Sequence, residues 1–143
     1  MAKNEKVYFT KDLRFKPTNF ANSDGTAAKQ IFAPSAEGSR IDGIAISSTS
    51  ATLKTILLQL NNAATSEICK LGHITVPAGA GTNGSVAVVS GLNKGNLPWL
   101  KIDSNGNPYI NMNYQMNLEA KLLSALSSGE TIDISVFGAN YDE

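Results

Sequence analysis

At 143 residues, 42% hydrophobic and 17% charged, the chain has the size and balance of one globular domain with its own core. Twelve basic residues against twelve acidic ones remove any overall electrostatic case for nucleic acid or an anionic membrane surface. One cysteine excludes an internal disulfide, no run approaches the ~20 apolar residues of a membrane span, and the opening MAKNEKVYFTKDLRF lacks the apolar centre of a secretory signal.

Residues 1–24 stand apart from the rest. Lys3, Lys6, Lys11, Arg14 and Lys16 outnumber Glu5 and Asp12, with Val7, Tyr8, Phe9, Leu13, Phe15 and Phe20 spaced among them, and Pro17 and NSDGT close the segment. It reads either as an arm reaching a neighbouring subunit or as a first strand plus loop along the domain's own sheet edge. As an arm, Tyr8, Phe9, Leu13 and Phe15 are its apolar anchors, Lys11 and Arg14 flank them, and deleting residues 2–16 leaves a folded domain.

From residue 26 onward the pattern is strands. TAAKQIFA (26–33) stops at Pro34. RIDGIAIS (40–47) places Ile44 and Ile46 on one face with Ile41 out of phase, which a bulge at Gly43 would restore. ATLKTILLQL (51–60) aligns Ile56, Leu58 and Leu60, while Leu57 breaks the alternation and implies cover on both sides. ICKLGHITV (68–76) is a strand, PAGAGTNG (77–84) a flexible loop, SVAVV (85–89) a short strand and GLNKGN (91–96) a loop. NLEAKLLSALSS (117–128) spaces Leu118, Leu122 and Leu126 as a helix would, yet Leu118, Ala120 and Leu122 also alternate. A short strand with one helical turn near 123–128 suits the strands around it better. TIDISVFG (131–138) alternates cleanly, with Ile132, Ile134 and Val136 inward. About eight short strands make an all-β, antiparallel sandwich, jelly-roll-like, with residues 25–143 as its single domain.

Chemistry is sparse. In KIDSNGNPYINM (101–112), Asp103, Asn105 and Asn107 alternate as a calcium loop opens, but the sixth position is Pro108 and the twelfth Tyr114, where glycine and an acid are needed. Asn105-Gly106 instead suits a two-residue hairpin turn. Cys69 and His73 fall on one side of a strand about 13 Å apart, too far for a nucleophile and its base, so a buried thiol and an ordinary sheet histidine are expected. No Gly-x-Ser-x-Gly elbow occurs, and GAGTNGS (79–85) lacks the Lys-Ser/Thr ending of a phosphate loop. Glu119, Glu130 and Asp133 could meet as paired acids, though their phase points them to solvent. Trp99, between leucines in NLPWL, reads as core, with stacking on a sugar as the competing role.

GNPYINMNYQMNLEAKLLSALSSGETIDISVFGANYDE (106–143) resembles the C-terminal pattern of small virion structural proteins from tailed bacteriophages, through Gly106, Tyr109, Ile110, Leu118, Leu122, Gly129, Ile132, Ile134, Val136, Gly138 and Tyr141. In KQIFAPSAEGSRIDGIAISSTSA (29–51), Gly38, Ser39, Arg40, Ile41 and Ile44 are similar to the same group's first strand. The shared positions are structural, and the segment at 1–24 departs from them. The resemblance implies a non-enzymatic capsid decoration or auxiliary head protein in the virion. It would bind the major capsid protein or sister copies as a homo-oligomer, a trimer suiting local threefold points, without cofactor, metal, nucleic acid, membrane or small-molecule substrate. The alternative is a tail-associated or displayed module that binds glycans through Trp99 and loop tyrosines.

Overall fold

The computed structural model describes residues 10–141. Ten strands follow in order: β1 (Thr10–Ala21), β2 (Lys29–Phe32), β3 (Ser39–Ser48), β4 (Lys54–Asn62), β5 (Ile68–Val76), β6 (Val89–Ser90), β7 (Lys101–Ile102), β8 (Pro108–Met112), β9 (Met116–Leu122) and β10 (Thr131–Tyr141). One sheet runs β1-β10-β3-β8-β7 with β6 also on β3, and the other runs β2-β9-β4-β5. Every pairing is antiparallel. Setting aside the two-residue β6 and β7, the pairs β1·β10, β2·β9, β3·β8 and β4·β5 nest like one long hairpin. The contacts β10·β3 and β9·β4 show that hairpin rolled into two layers, which is the jelly-roll arrangement.

The core lies between the layers. Ile41, Ile44 and Ile46 of β3 and Ile132, Ile134 and Val136 of β10 face Ile56 and Leu58 of β4, Ile74 and Val76 of β5, and Leu118, Ala120 and Leu122 of β9. Bulges adjust the phase where the sequence slips. Gly43 pairs with Phe137 and Ile41 with Gly138, so Asp42 is the extra residue and both isoleucine sets reach the core. A bulge between Gln30 and Phe32 likewise buries both Ile31 and Phe32. Gly138 sits so close to β3 that a Cβ there would lie 2.1 Å from the Arg40 carbonyl oxygen, so only glycine fits.

Of the two readings of the N-terminal segment, residues 10–21 follow the strand: they form an edge strand joined to β10 from Thr10↔Tyr141 to Ala21↔Thr131 and send Phe20 into the core. The segment is part of the sandwich, and Tyr8 and Phe9 lie outside the described residues. Other expectations are corrected. Residues 123–129 form bends and a turn with no helical turn, with Leu126 buried beneath them. The 77–84 loop is pinned: Ser48 N–H donates to Ala80 O (2.8 Å), Gly79 N–H to Ser50 O (3.1 Å), and Ala80 is buried. Of 85–89 only Val89 enters a strand. Strand β4 is covered on both faces as the break at Leu57 implied, since Leu57 and Gln59 are buried along with Ile56 and Leu58.

Candidate docking face

The described residues hold no group of three or more His, Cys, Asp or Glu placed to bind a metal. The candidate catalytic residues do not meet. Glu119, on β9 of one sheet, accepts from Gln59 Nε2 (2.8 Å) and Asn61 Nδ2 (3.1 Å). Asp133, on β10 of the other, accepts from Asn19 Nδ2 (2.8 Å). Glu130 caps a corner, accepting from the backbone N–H of Ala51 (2.6 Å) and Ser127 (2.9 Å), and those bonds hold its carboxyl below the ordinary range.

Cys69 is exposed, not buried. A bulge on β5 pairs Gly72 with Leu58 but Lys70 with Gln59, leaving Leu71 extra. Cys69 therefore stands opposite Leu60 and His73 opposite Leu57, on opposite faces of the sheet rather than the same one. The Asp103–Asn107 segment is a hairpin of five loop residues, not two. Its ends are Ile102↔Pro108, and the Asp103 carboxylate accepts from the N–H groups of Asn107 and Asn105 (both 2.9 Å). These bonds, with Arg40 alongside, lower the Asp103 pKa. The carboxylate that suggested a cation ligand is the organiser of its own turn.

What remains is the outward face of the β1–β10–β3 sheet. Leu13 is 91% exposed and Phe15 59%. Phe15 pairs with Phe137, itself exposed, and their ring centroids lie 5.1 Å apart at 34°. The Phe137 ring lies over Gly43, whose absent side chain leaves room for it. Leu13, Phe15, Phe137 and Gly138 with Asp42 line a shallow cleft of about 390 Å³. Beyond it, Arg40 binds Asp42 (2.6 Å) and Asp103 (3.2 Å) and stacks 4.3 Å over the Tyr109 ring. An apolar centre with aromatic and arginine neighbours has the composition of a protein interface.

The named anchors are only partly brought together. Leu13 and Phe15 stand on this face, and Lys11 lies exposed near the start of the same strand. Arg14 turns the other way, donating to Ala33 O (2.6 Å) and Asn140 Oδ1 (3.2 Å) with its guanidinium 4.4 Å over Phe32, and so ties β1 to the second sheet. Trp99 is far from the face. It is 45% exposed rather than core, with its indole N–H donating to Leu71 O of β5 (2.9 Å). Phe137 was missed, although the alternation that turned Ile132, Ile134 and Val136 inward places Phe137 outward, and an outward phenylalanine is the available signal.

No protein-family model and no curated protein matches this chain. Among solved structures, the Drosophila NLP-core, described in connection with pentamer formation and histone binding, is similar at a TM-score of 0.44 and 10% identity. That similarity covers 92% of this chain and 99% of that one. The CBM22-1–GH10 modules of Clostridium thermocellum xylanase 10B, solved with xylohexaose, give 0.40 and 10% over 94% of this chain and 28% of that one. Likenesses this distant carry no argument, and the fold rests on the strand order itself.

Proposed function

We propose that the chain is a non-enzymatic structural component of a bacteriophage virion. It is a capsid decoration or auxiliary head protein that docks on the major capsid protein or sister copies through the outward face of β1 and β10. The observation that carries this reading is the exposed cluster of Leu13, Phe15 and Phe137 on a rigid sheet face. Together with the bacteriophage pattern in the sequence it supports an assembly role, because the cross-strand pairing of Phe15 and Phe137 still leaves a contiguous apolar patch facing water. A trimer around a local threefold point satisfies the symmetry of such a surface.

The test is co-sedimentation with parent particles lacking the protein. Changing Phe15 and Phe137 to serine together removes the central anchors. Binding is expected to weaken at least ~30-fold, the scale of losing one hot spot, while the fold persists. Undiminished binding would reject this face.

The exposure of Trp99 favours a second reading, glycan stacking on its ring. Quenching of this sole tryptophan by a glycan panel would support it, and a silent fluorescence signal would remove it.

A further inference from the structure

A separate site lies where the 35–38 turn meets the ends of β8 and β10. Glu37, Asn111, Asn113 and Tyr141 wall an open cleft of about 460 Å³ floored by Gly38 and Met112. That volume falls within the ~300–1,000 Å³ usual for small-ligand sites. A neighbouring cleft of about 290 Å³ shares Glu37 and Tyr141 and continues past Lys11, Asp12 and Ser35.

The site is held by its own bonds. Gly38 N–H donates to Ser35 O (2.9 Å), Ser35 Oγ to Gly38 O (2.7 Å), and Tyr141 N–H to Gly38 O (3.1 Å). Ser35 N–H donates to Ser39 Oγ (3.0 Å), which in turn donates to Asn140 Oδ1 (2.9 Å). Gly38 has φ +88°, and a Cβ there would come within 3.0 Å of Met112 O, so a side chain would push the turn off the floor. The Tyr141 hydroxyl donates to Asn111 Oδ1, which fixes the amide so that its Nδ2 donors are left over.

Among the described residues, neither the Asn111 Nδ2, nor the Asn113 side chain, nor the Glu37 carboxylate has a hydrogen-bond partner. The cleft therefore presents donors and acceptors side by side, one formal charge and the flank of a phenol ring. Phosphate or a carboxylated sugar would meet Glu37 with like charge, and a metal ion would find a single carboxylate. Vicinal hydroxyls, each giving one hydrogen bond and taking another, match the set. We infer that this cleft binds a neutral saccharide, with room for a second unit in the adjoining cleft.

This site is independent of the docking face and of Trp99, which lies against the other sheet. The experiment is an NMR titration of the ¹⁵N-labelled full chain with neutral gluco-, xylo-, manno-, galacto- and N-acetylglucosamine oligomers. Sialylated and phosphorylated oligomers form the contrasting arm. At least one neutral oligomer is expected to shift the Asn111 and Asn113 side-chain amides. Asn113→Ala and Glu37→Gln should each weaken that binding by roughly threefold to tenfold, the worth of one hydrogen bond. No neutral oligomer shifting these amides at millimolar concentration would overturn the assignment. So would binding of charged oligomers alone, or binding that survives the double variant Glu37→Gln/Asn113→Ala.

Discussion

Single side chains here show why exposure and role must be judged by partners. Trp99 is nearly half exposed, yet its indole N–H satisfies the carbonyl of Leu71, the bulged residue of β5. Phenylalanine at 99 keeps the ring but loses the donor, and stability should drop by about 1 kcal/mol, measured by urea denaturation. No change would show that water serves that carbonyl equally well. The carboxylates of Asp24, Asp103 and Glu130 behave alike: backbone N–H groups stabilise the charged form and depress each pKa. Because the folded-state values lie below the unfolded ones, their contribution is complete above about pH 5. It is lost as acid protonates them. Replacing Glu130 with glutamine should therefore flatten the acid limb of a thermal-melting profile and leave a smaller difference from wild type at low pH than at neutral pH.

Strand β1 is the element for which the sequence left two readings open. The charged-aromatic composition of residues 1–24 suits a detachable arm as well as an edge strand, and only pairing with β10 separates them. Deleting residues 2–16 would strip half of those pairs, uncover β10 from Val136 to Tyr141 as a new edge and remove the Arg14 tie to Ala33. The expected result is a large fall in melting temperature or aggregation; a deletion variant as stable as wild type would return the segment to the status of an arm. Elsewhere the elements were legible where burial is one-sided. Ile132, Ile134 and Val136 alternate without interruption, and β5 runs over Ile68–Val76 as its pattern indicates. The phase slip between Ile41 and Ile44 disclosed the bulge beside Gly43. The extra residue Leu71 left no such trace, because Cys69, Lys70 and His73 face solvent whichever way they turn. The 77–84 loop misled for a related reason. Glycine content reports backbone freedom but not the long-range bonds from Ser48 and Ser50 that hold Ala80 in place.

At the scale of the molecule, the sandwich guards its edges and leaves one face open. On the edge strand β5, the backbone carbonyl of the bulged Leu71 is taken by the Trp99 indole N–H. Strand β2 has four residues, and β1 carries an irregularity between Thr10 and Leu13 and a proline at 17. These features discourage sheet-to-sheet growth. Leu13, Phe15 and Phe137 have no such protection, and an interface that uses side chains on a face rather than backbone at an edge explains both facts together. The most direct test of that account is a cryo-EM map of the bacteriophage particle that the proposed function requires, with this chain traced in it. The account predicts the sandwich on the head, its β1–β10 face against a capsid subunit or a sister copy, with Phe15 and Phe137 buried at the contact. Density placing those two rings in solvent, or a particle that lacks the chain altogether, would contradict it.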